Sequence, residues 1–245
     1  MVRYARNKDR PLRSADEYDS VFTRLVKPAI GRTPIYDLRR SEIVGMLDKI
    51  EDKNGPVMAD RTLAYLRKAL NWQAARDDRF VPPIVKGMAR TKAKERARDR
   101  VLTDDEIRAI WSQLTGTFGA LVKALLLTAQ RREEVAQMSW REIDKDGSWT
   151  IPASRYKTAR ASIVPLSQAA RAIIEAQPKI CDFVFAGRTG KTPFSGFSKG
   201  KAALDKYAPL PGWTLHDLRR TAKTLMVRAG VRPDISERVL YSVIG

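Results

Sequence analysis

The chain has 245 residues, 43% of them hydrophobic, which is enough for two compact domains or one large one and argues against disorder. Lys and Arg number 46 against 28 Asp and Glu, giving a formal charge of +18 and a pI near 10.3. That excess points to a polyanion, with nucleic acid ahead of an anionic membrane surface. No apolar run approaches a spanning length, and no signal-peptide pattern follows Met1. Cys181 is the sole cysteine and His216 the sole histidine, which excludes an intrachain disulfide and a zinc site of the usual ligand types. A reducing cytoplasm fits this usage, and no metal or other cofactor is expected.

Residues 1–13 are basic and expected to fray. Ser14 to Glu17 reads as a capping box, followed at helical spacing by Val21, Phe22, Leu25 and Val26, with Pro28 and Gly31 closing the element. A second helix starts near Ser41 and carries Ile43, Val44, Met46, Leu47 and Ile50 until Asn54-Gly55-Pro56 breaks it. A third runs from about Val57 to Arg79, with Leu63, Leu66, Leu70 and Ala74 as its buried stripe. Residues 89–100 then lack an apolar stripe and place Lys or Arg at every second position, including Lys92, Lys94 and Arg96. Such a run is either a solvated helix face or a basic interdomain linker lying along a phosphate backbone; the second reading puts the domain boundary here.

Thr103 to Glu106 is another capping box, ahead of Ile107, Ile110, Trp111 and Leu114. A very apolar helix over Leu121–Leu127 must lie in the core and runs into Thr128-Ala129-Gln130-Arg131-Arg132-Glu133-Glu134. The period then changes: Trp149–Pro152 and Ser162–Pro165 are strand-like, around a polar turn, Ala153–Ala161, that holds Arg155, Lys157 and Arg160. Ser167 caps a helix to Ala176, Asp182–Phe185 is a short strand or extended piece, and a helix is expected near Phe197–Tyr207. The last helices are expected over His216–Ala229, stopped by Gly230, and over Asp234–Leu240. Gly187 to Thr192 has the flavour of a nucleotide-binding loop, but its glycines are too close together and no strand-to-helix frame surrounds them. The tryptophans fall at core-like positions and make no base-stacking platform.

The chemistry concentrates in Trp213–Arg220. His216 and Arg219 stand three apart, which on a helix puts an imidazole and a permanent cation on one face, a pairing suited to phosphate. Arg131 follows the apolar helix, with Glu134 three residues on, and Lys157 sits on the hairpin turn. Two arginines, a lysine and a histidine could run phosphodiester transfer without a metal. The arginines would clamp the non-bridging oxygens, the lysine would protonate the departing oxygen, and the histidine would hold or take the nucleophile's proton.

In order and spacing these segments resemble the tyrosine recombinase (phage integrase) family, in particular prophage and genomic-island integrases. Thr128 to Glu134 resembles the family's T-G-x-R-x-x-E box, with Ala129 where glycine is usual. Arg155-Tyr156-Lys157-Thr158 resembles the hairpin bearing the family's lysine, and His216 to Thr221 is similar to its H-x-L-R box. The resemblance implies a mainly α fold with a small β-hairpin in two domains: a helical, SAM-like core-binding domain over 1–88, the basic linker 89–100, and a catalytic domain over 101–245. It implies Arg131 and Arg219 as the phosphate clamp, Lys157 as general acid and His216 as proton-transfer or phosphate-binding group. Glu134 is then either a positioning acid for Arg131 or an ordinary surface carboxylate. Arg132 and Arg220 are solvated or touch the backbone, and Arg155, Arg160, Arg220, Lys92, Lys94 and Arg96 are candidate DNA contacts.

The sequence departs from the family at its end. The family continues from the last helix into a Gly-His pair and then the nucleophilic tyrosine. Here Tyr241 and Ser242 stand at the pair's positions, Ser242 replacing the second histidine, and the sequence ends at Gly245. Tyr241 aligns with the glycine and is a poor substitute nucleophile, so this polypeptide is expected to bind DNA without recombining it. The chain is expected to be monomeric, although intact family members assemble as tetramers on DNA. The alternatives are a catalytically dead DNA-binding protein of the same fold and, more remotely, a relative of type IB topoisomerases.

Overall fold

The computed structural model describes residues 14–92, 98–156 and 160–241. It is mainly helical, with one two-stranded antiparallel sheet, and divides into two compact units, Met1–Ala97 and Arg98–Gly245. The expectations for residues 1–13, Lys94, Arg96, Lys157 and Ser242 lie outside the described residues, as does the side chain of Tyr241.

In the first unit α1 spans Ala15–Val21, a π-helical stretch Phe22–Val26, and α2 Lys27–Ile30. The π widening sits just ahead of Pro28. Without an N–H, and with its ring against the carbonyl four residues back, proline cannot continue an α ladder, and the wider turn absorbs the conflict. Gly31 closes the element as expected. The first capping box does not form: Ser14 has non-extended φ/ψ and caps nothing with its side chain, and Glu17 instead accepts from Arg61 Nη1 at 2.6 Å. α3 covers Arg40–Asn54, and α4 covers Pro56–Ala74. Between them Gly55 takes φ +83°, a left-handed conformation that glycine adopts at no steric cost, with Pro56 at the first turn of α4. α4 stops five residues short of the expected end at Arg79. There Ala75 N binds Asn71 O and the chain turns at Asp77, whose carboxylate takes Arg79 N. Ile43, Met46, Leu47, Ile50, Leu63, Leu66 and Leu70 form this unit's core with Phe80 and Met88.

The start of the basic run is packed rather than free. Arg90 pairs with Asp48 and with Glu51 at 3.0 Å, and the Arg90 and Thr91 amides bind the Asp60 carboxylate at 2.6 and 3.0 Å.

In the second unit α5 spans Asp104–Gln113 and begins with the expected capping box: Thr103 Oγ1 accepts from Glu106 N, and Glu106 accepts from Thr103 N. α6, Gly116–Thr128, buries Leu121, Val122, Ala124 and Leu125 but turns Leu127 outward, so not every apolar residue of this helix is core. α7 is the single-turn helix Arg132–Ala136. β1, Ser148–Ile151, and β2, Ser162–Pro165, pair with Trp149 opposite Val164. Trp149, Ile151 and Val164 alternate inward at the strand period of two and join the core with Met138, Phe185 and Trp213. α8, Gln168–Glu175, is capped by Ser167 Oγ, which accepts from Ala170 N at 3.2 Å. Asp182–Phe185 is extended chain, with one bridge between Ser139 and Phe183, rather than a strand. Gly187 to Thr192 is a tight turn closed by Gly187 N on Thr192 O at 2.7 Å, with no helix leading from it. α9 spans Phe197–Tyr207, α10 Asp217–Arg228 and α11 Pro233–Tyr241.

Candidate phosphate-binding site

The site begins where α6 stops. Ala129 caps that helix at φ +55°, the only non-glycine with positive φ among the described residues. A left-handed C-cap reverses the chain within one residue, and this is the position at which the family's box carries glycine. The reversal puts Arg131 at the N-terminus of α7. Glu134 is buried, with Oε2 accepting from Arg131 N at 2.9 Å and Oε1 from Arg131 Nη1 at 2.7 Å. One carboxylate thus caps the helix and aims the guanidinium. Burial opposes the Arg131 charge, but Glu134 and Tyr156 outweigh it and hold the pKa above the ordinary arginine value. The Tyr156 ring, fully buried, lies 5.3 Å from the guanidinium.

Arg219 reaches the same turn from α10. It is 7% exposed; Nη1 donates to Ala129 O and Nη2 to Leu240 O in the last turn of α11. Gln130 Nε2 donates to Val239 O at 2.9 Å, and Tyr156 Oη is 3.4 Å from Leu240 O. The carbonyls at the end of α11, which have no partner within their own helix, are therefore taken up by the groups that frame Arg131.

His216 precedes α10 as its N-cap. The imidazole is exposed overall, yet the surrounding protein desolvates it. That effect, then the guanidiniums of Arg220, Arg219 and Arg131, pushes its pKa below the ordinary histidine value, with Asp217 opposing. The neutral imidazole is therefore favoured, and His216 lies within the field of Arg131 and Arg219. Arg131 and the Arg219–His216 pair, far apart in sequence, thus come together at the Ala129 turn of the second unit, with Arg219 buried beneath it. Lys157, outside the described residues, directly follows Tyr156.

Sequence reasoning passed over Asp217. It is fully buried at the first position of α10, and Oδ2 accepts from Thr214 N (2.8 Å), Thr214 Oγ1 (2.9 Å) and Arg98 Nη2 (3.1 Å). Its Oδ1 accepts from Arg220 Nη1 at 2.8 Å. Burial alone would raise its pKa; the hydrogen bonds from Thr214 and Arg98 hold it below the usual carboxylate value. Thr214 and Asp217 match the S/T-x-x-D/E helix-start pattern, the signal that could have found it.

The remaining arginines divide. Arg155 points inward and braces the hairpin: Nη2 pairs with Glu142, and Nη1 is 3.4 Å from Glu134 O. Glu142 Oε2 also accepts from the Trp149 indole at 3.1 Å and Ser139 N at 3.2 Å, tying the hairpin to the Arg131 helix. Arg220 is partly exposed and held by Asp217, Arg132 pairs with Glu133 beside the Phe197 ring, and Arg160 and Lys92 are exposed. Among the described residues no cluster of His, Cys, Asp and Glu could hold a metal, and no helix is long and apolar enough to cross a membrane.

The model of the phage integrase family matches residues 100–240. The chain belongs to that family. Prophage integrase IntA of Escherichia coli K12 is 28% identical over 239 residues, covering 94% of this chain and 58% of the relative. The integrase of Shigella phage Sf6 is 24% identical over 187 residues, covering 72% of this chain and 49% of the relative. The chain thus spans about half the length of these relatives. Among solved structures, a lambda integrase (75–356) dimer bound to a COC′ core site has a TM-score of 0.74 at 17% identity, covering 98% of this chain and 91% of that one. A lambda integrase tetramer bound to a Holliday junction gives 0.75 at 18% identity, covering 99% and 75%. At such identity the likeness is one of fold.

Proposed function

We propose that this integrase cuts and rejoins DNA at specific sites through a phosphotyrosine intermediate, with the second unit as catalytic domain and the first as a helical core-binding domain, joined by the basic linker 89–100. The observation that carries the reading is the convergence of Arg131, Arg219 and His216 at the Ala129 turn, three groups able to bind one phosphate. Arg131 and Arg219 grip the two non-bridging oxygens and stabilise the charge that grows on them as the phosphorus becomes five-coordinate. Glu134 keeps Arg131 aimed. Lys157, next to Tyr156, protonates the departing sugar oxygen, and neutral His216 accepts the nucleophile's proton or hydrogen-bonds the phosphate; Ser242 takes the place of the family's second histidine. Arg220, Arg160, Lys92, Lys94 and Arg96 contact the DNA backbone, while Arg155 serves the hairpin. The chemistry uses no metal or nucleotide cofactor, and the protein works in the cytoplasm on double-stranded DNA.

Similarity to DNA-bound integrase folds, including a tetramer on a junction, supports tetrameric assembly of intact proteins of this kind on DNA. A polypeptide of residues 1–245 alone is proposed to be a monomer that binds DNA without attacking it, because Tyr241 falls at the position of the family's glycine rather than of its nucleophile. Two measurements test this reading. Binding to duplex DNA should weaken steeply with salt, with a log–log slope of roughly −0.9 per phosphate neutralised, and Arg131→Ala should make it shallower by about one such step. Covalent trapping on a nicked duplex should give no protein–DNA adduct from residues 1–245. An adduct that Tyr241→Phe abolishes would overturn the claim of inactivity, and salt-independent binding would overturn the DNA-binding reading.

A further inference from the structure

The end of the basic run is strapped along the helix that carries the site. Arg98 Nη2 donates to Gly212 O and to Asp217 Oδ2; Leu102 N donates to Thr221 Oγ1 at 3.0 Å; and both Nη atoms of Arg228 bind the Asp104 carboxylate at 2.8 Å. Asp217, Thr221 and Arg228 stand at i, i+4 and i+11, one face of α10, so the strap of residues 98–104 runs the length of that helix. Thr221 Oγ1 in turn donates to Asp217 O at 2.8 Å. At the site end, the fully buried Asp217 carboxylate gathers Thr214, Arg98 and Arg220. We propose that Arg98 and Asp217 form a positioning pair that fixes the start of α10, setting the orientation and the electrostatic surroundings of His216 and Arg219 without touching DNA. This rests on the phosphate-site reading only for its functional consequence.

A carboxylate taken wholly out of water needs its donors, and removing one partner of such a pair leaves the other uncompensated. Among the described residues, the charged groups acting on His216 are Arg219, Arg220 and Asp217 of its own segment and Arg131 from the head of α7. Asp217 is the sole anion among them, and Arg98 acts through it. One property makes the proposal readable: His216 is the only histidine in the chain, so its imidazole proton resonance is unambiguous.

The experiment is an NMR titration of His216 in the whole chain and in Asp217→Asn, Arg98→Ala and Arg98→Lys, in buffer without phosphate. Asp217→Asn is expected to move the His216 midpoint lower, because the one counter-charge is lost and Arg220 and Arg98 go unneutralised. Arg98→Ala is expected to move it higher, because Asp217 loses a partner, with Arg98→Lys close to wild type. A merely loosened helix would carry every variant upward, toward the ordinary histidine value. An unchanged or raised midpoint in folded Asp217→Asn would overturn the pair. If that variant does not fold, a wild-type midpoint in Arg98→Ala overturns it instead. Adding inorganic phosphate to the wild-type protein is a separate arm: no response of the His216 resonance would remove the phosphate site while leaving the positioning pair standing.

Discussion

Replacing Glu134 by alanine removes both acceptors that hold Arg131 in place. The carboxylate is 5% exposed, and the Arg131 side chain is 26% exposed. A hydrogen bond to a charged partner contributes about 1.5–3 kcal/mol, and the guanidinium's partial access to water puts the Nη1 bond at the lower end, about 1.5 kcal/mol. The Arg131 amide loses the cap of α7, costing about 1 kcal/mol, and the vanished methylene adds about 0.8 kcal/mol. Together the second unit should lose about 3 kcal/mol. Glu134→Gln can still accept from the Arg131 amide but turns its own N–H groups toward a cation, so about half of that loss is expected. Urea denaturation followed by the fluorescence of the buried Trp149 and Trp213 measures both. For a unit of this size the slope is roughly 2–3 kcal/mol per molar urea, so the alanine midpoint should fall by about 1–1.5 M with unchanged slope. DNA affinity should fall with it, since Arg131 is no longer aimed. An alanine variant within about 1 kcal/mol of wild type, or a glutamine variant as damaged as the alanine, would refute the assignment of Glu134 as the residue that positions Arg131.

Three further outcomes follow from the same geometry. Ala129→Gly should change stability by no more than about 1 kcal/mol, because relief of the left-handed strain is offset by the lost methyl and the freer unfolded chain, whereas Ala129→Val should be far more destabilising in the same urea assay. Glu142→Ala leaves the Trp149 indole, the Ser139 amide and the Arg155 guanidinium without their shared acceptor and should cost about 3–5 kcal/mol in thermal or urea unfolding, more than Arg155→Ala, which leaves Glu142 its other donors. Because the folded pKa of His216 lies below its unfolded value, the folded state binds fewer protons, so stability of the free protein is fully present above the ordinary histidine range and declines as pH falls through it. A bound phosphate reverses the sign by favouring the imidazolium. DNA affinity should therefore rise as pH falls through that same range, and fluorescence anisotropy should show the rise gone in His216→Gln.

Much of this was legible in sequence because the cues are local. The Thr103 and Ser167 caps, the alternation of Trp149 and Ile151, and the apolar run of α6 each follow from a few neighbouring residues. Ser14 failed as a cap because its Glu17 found a partner 44 positions away, which no local pattern can anticipate. α4 ended early because competing turn bonds around Asp77 outweighed continued periodicity. In the site, the residue types of the two arginines and the histidine were readable, whereas their packing was not. Arg219 binds the carbonyls of Ala129 and Leu240, which belong to two other segments, and a backbone carbonyl has no signature in sequence. The direction of Arg155 was not legible, because charge alone says nothing about it; Glu142, thirteen residues earlier, turns it inward. Asp217 was hidden by standing between two residues with more obvious chemistry.

The central claim is that one backbone phosphorus sits where Arg131, Arg219 and His216 meet. A crystal structure of the chain bound to duplex DNA addresses that directly. The account predicts a single phosphate whose two non-bridging oxygens lie about 2.7–3.2 Å from guanidinium nitrogens of Arg131 and Arg219, with the His216 ring and the Lys157 ammonium against the same phosphate. A duplex that docks elsewhere, with those side chains facing solvent or contacting separate phosphates, would contradict it.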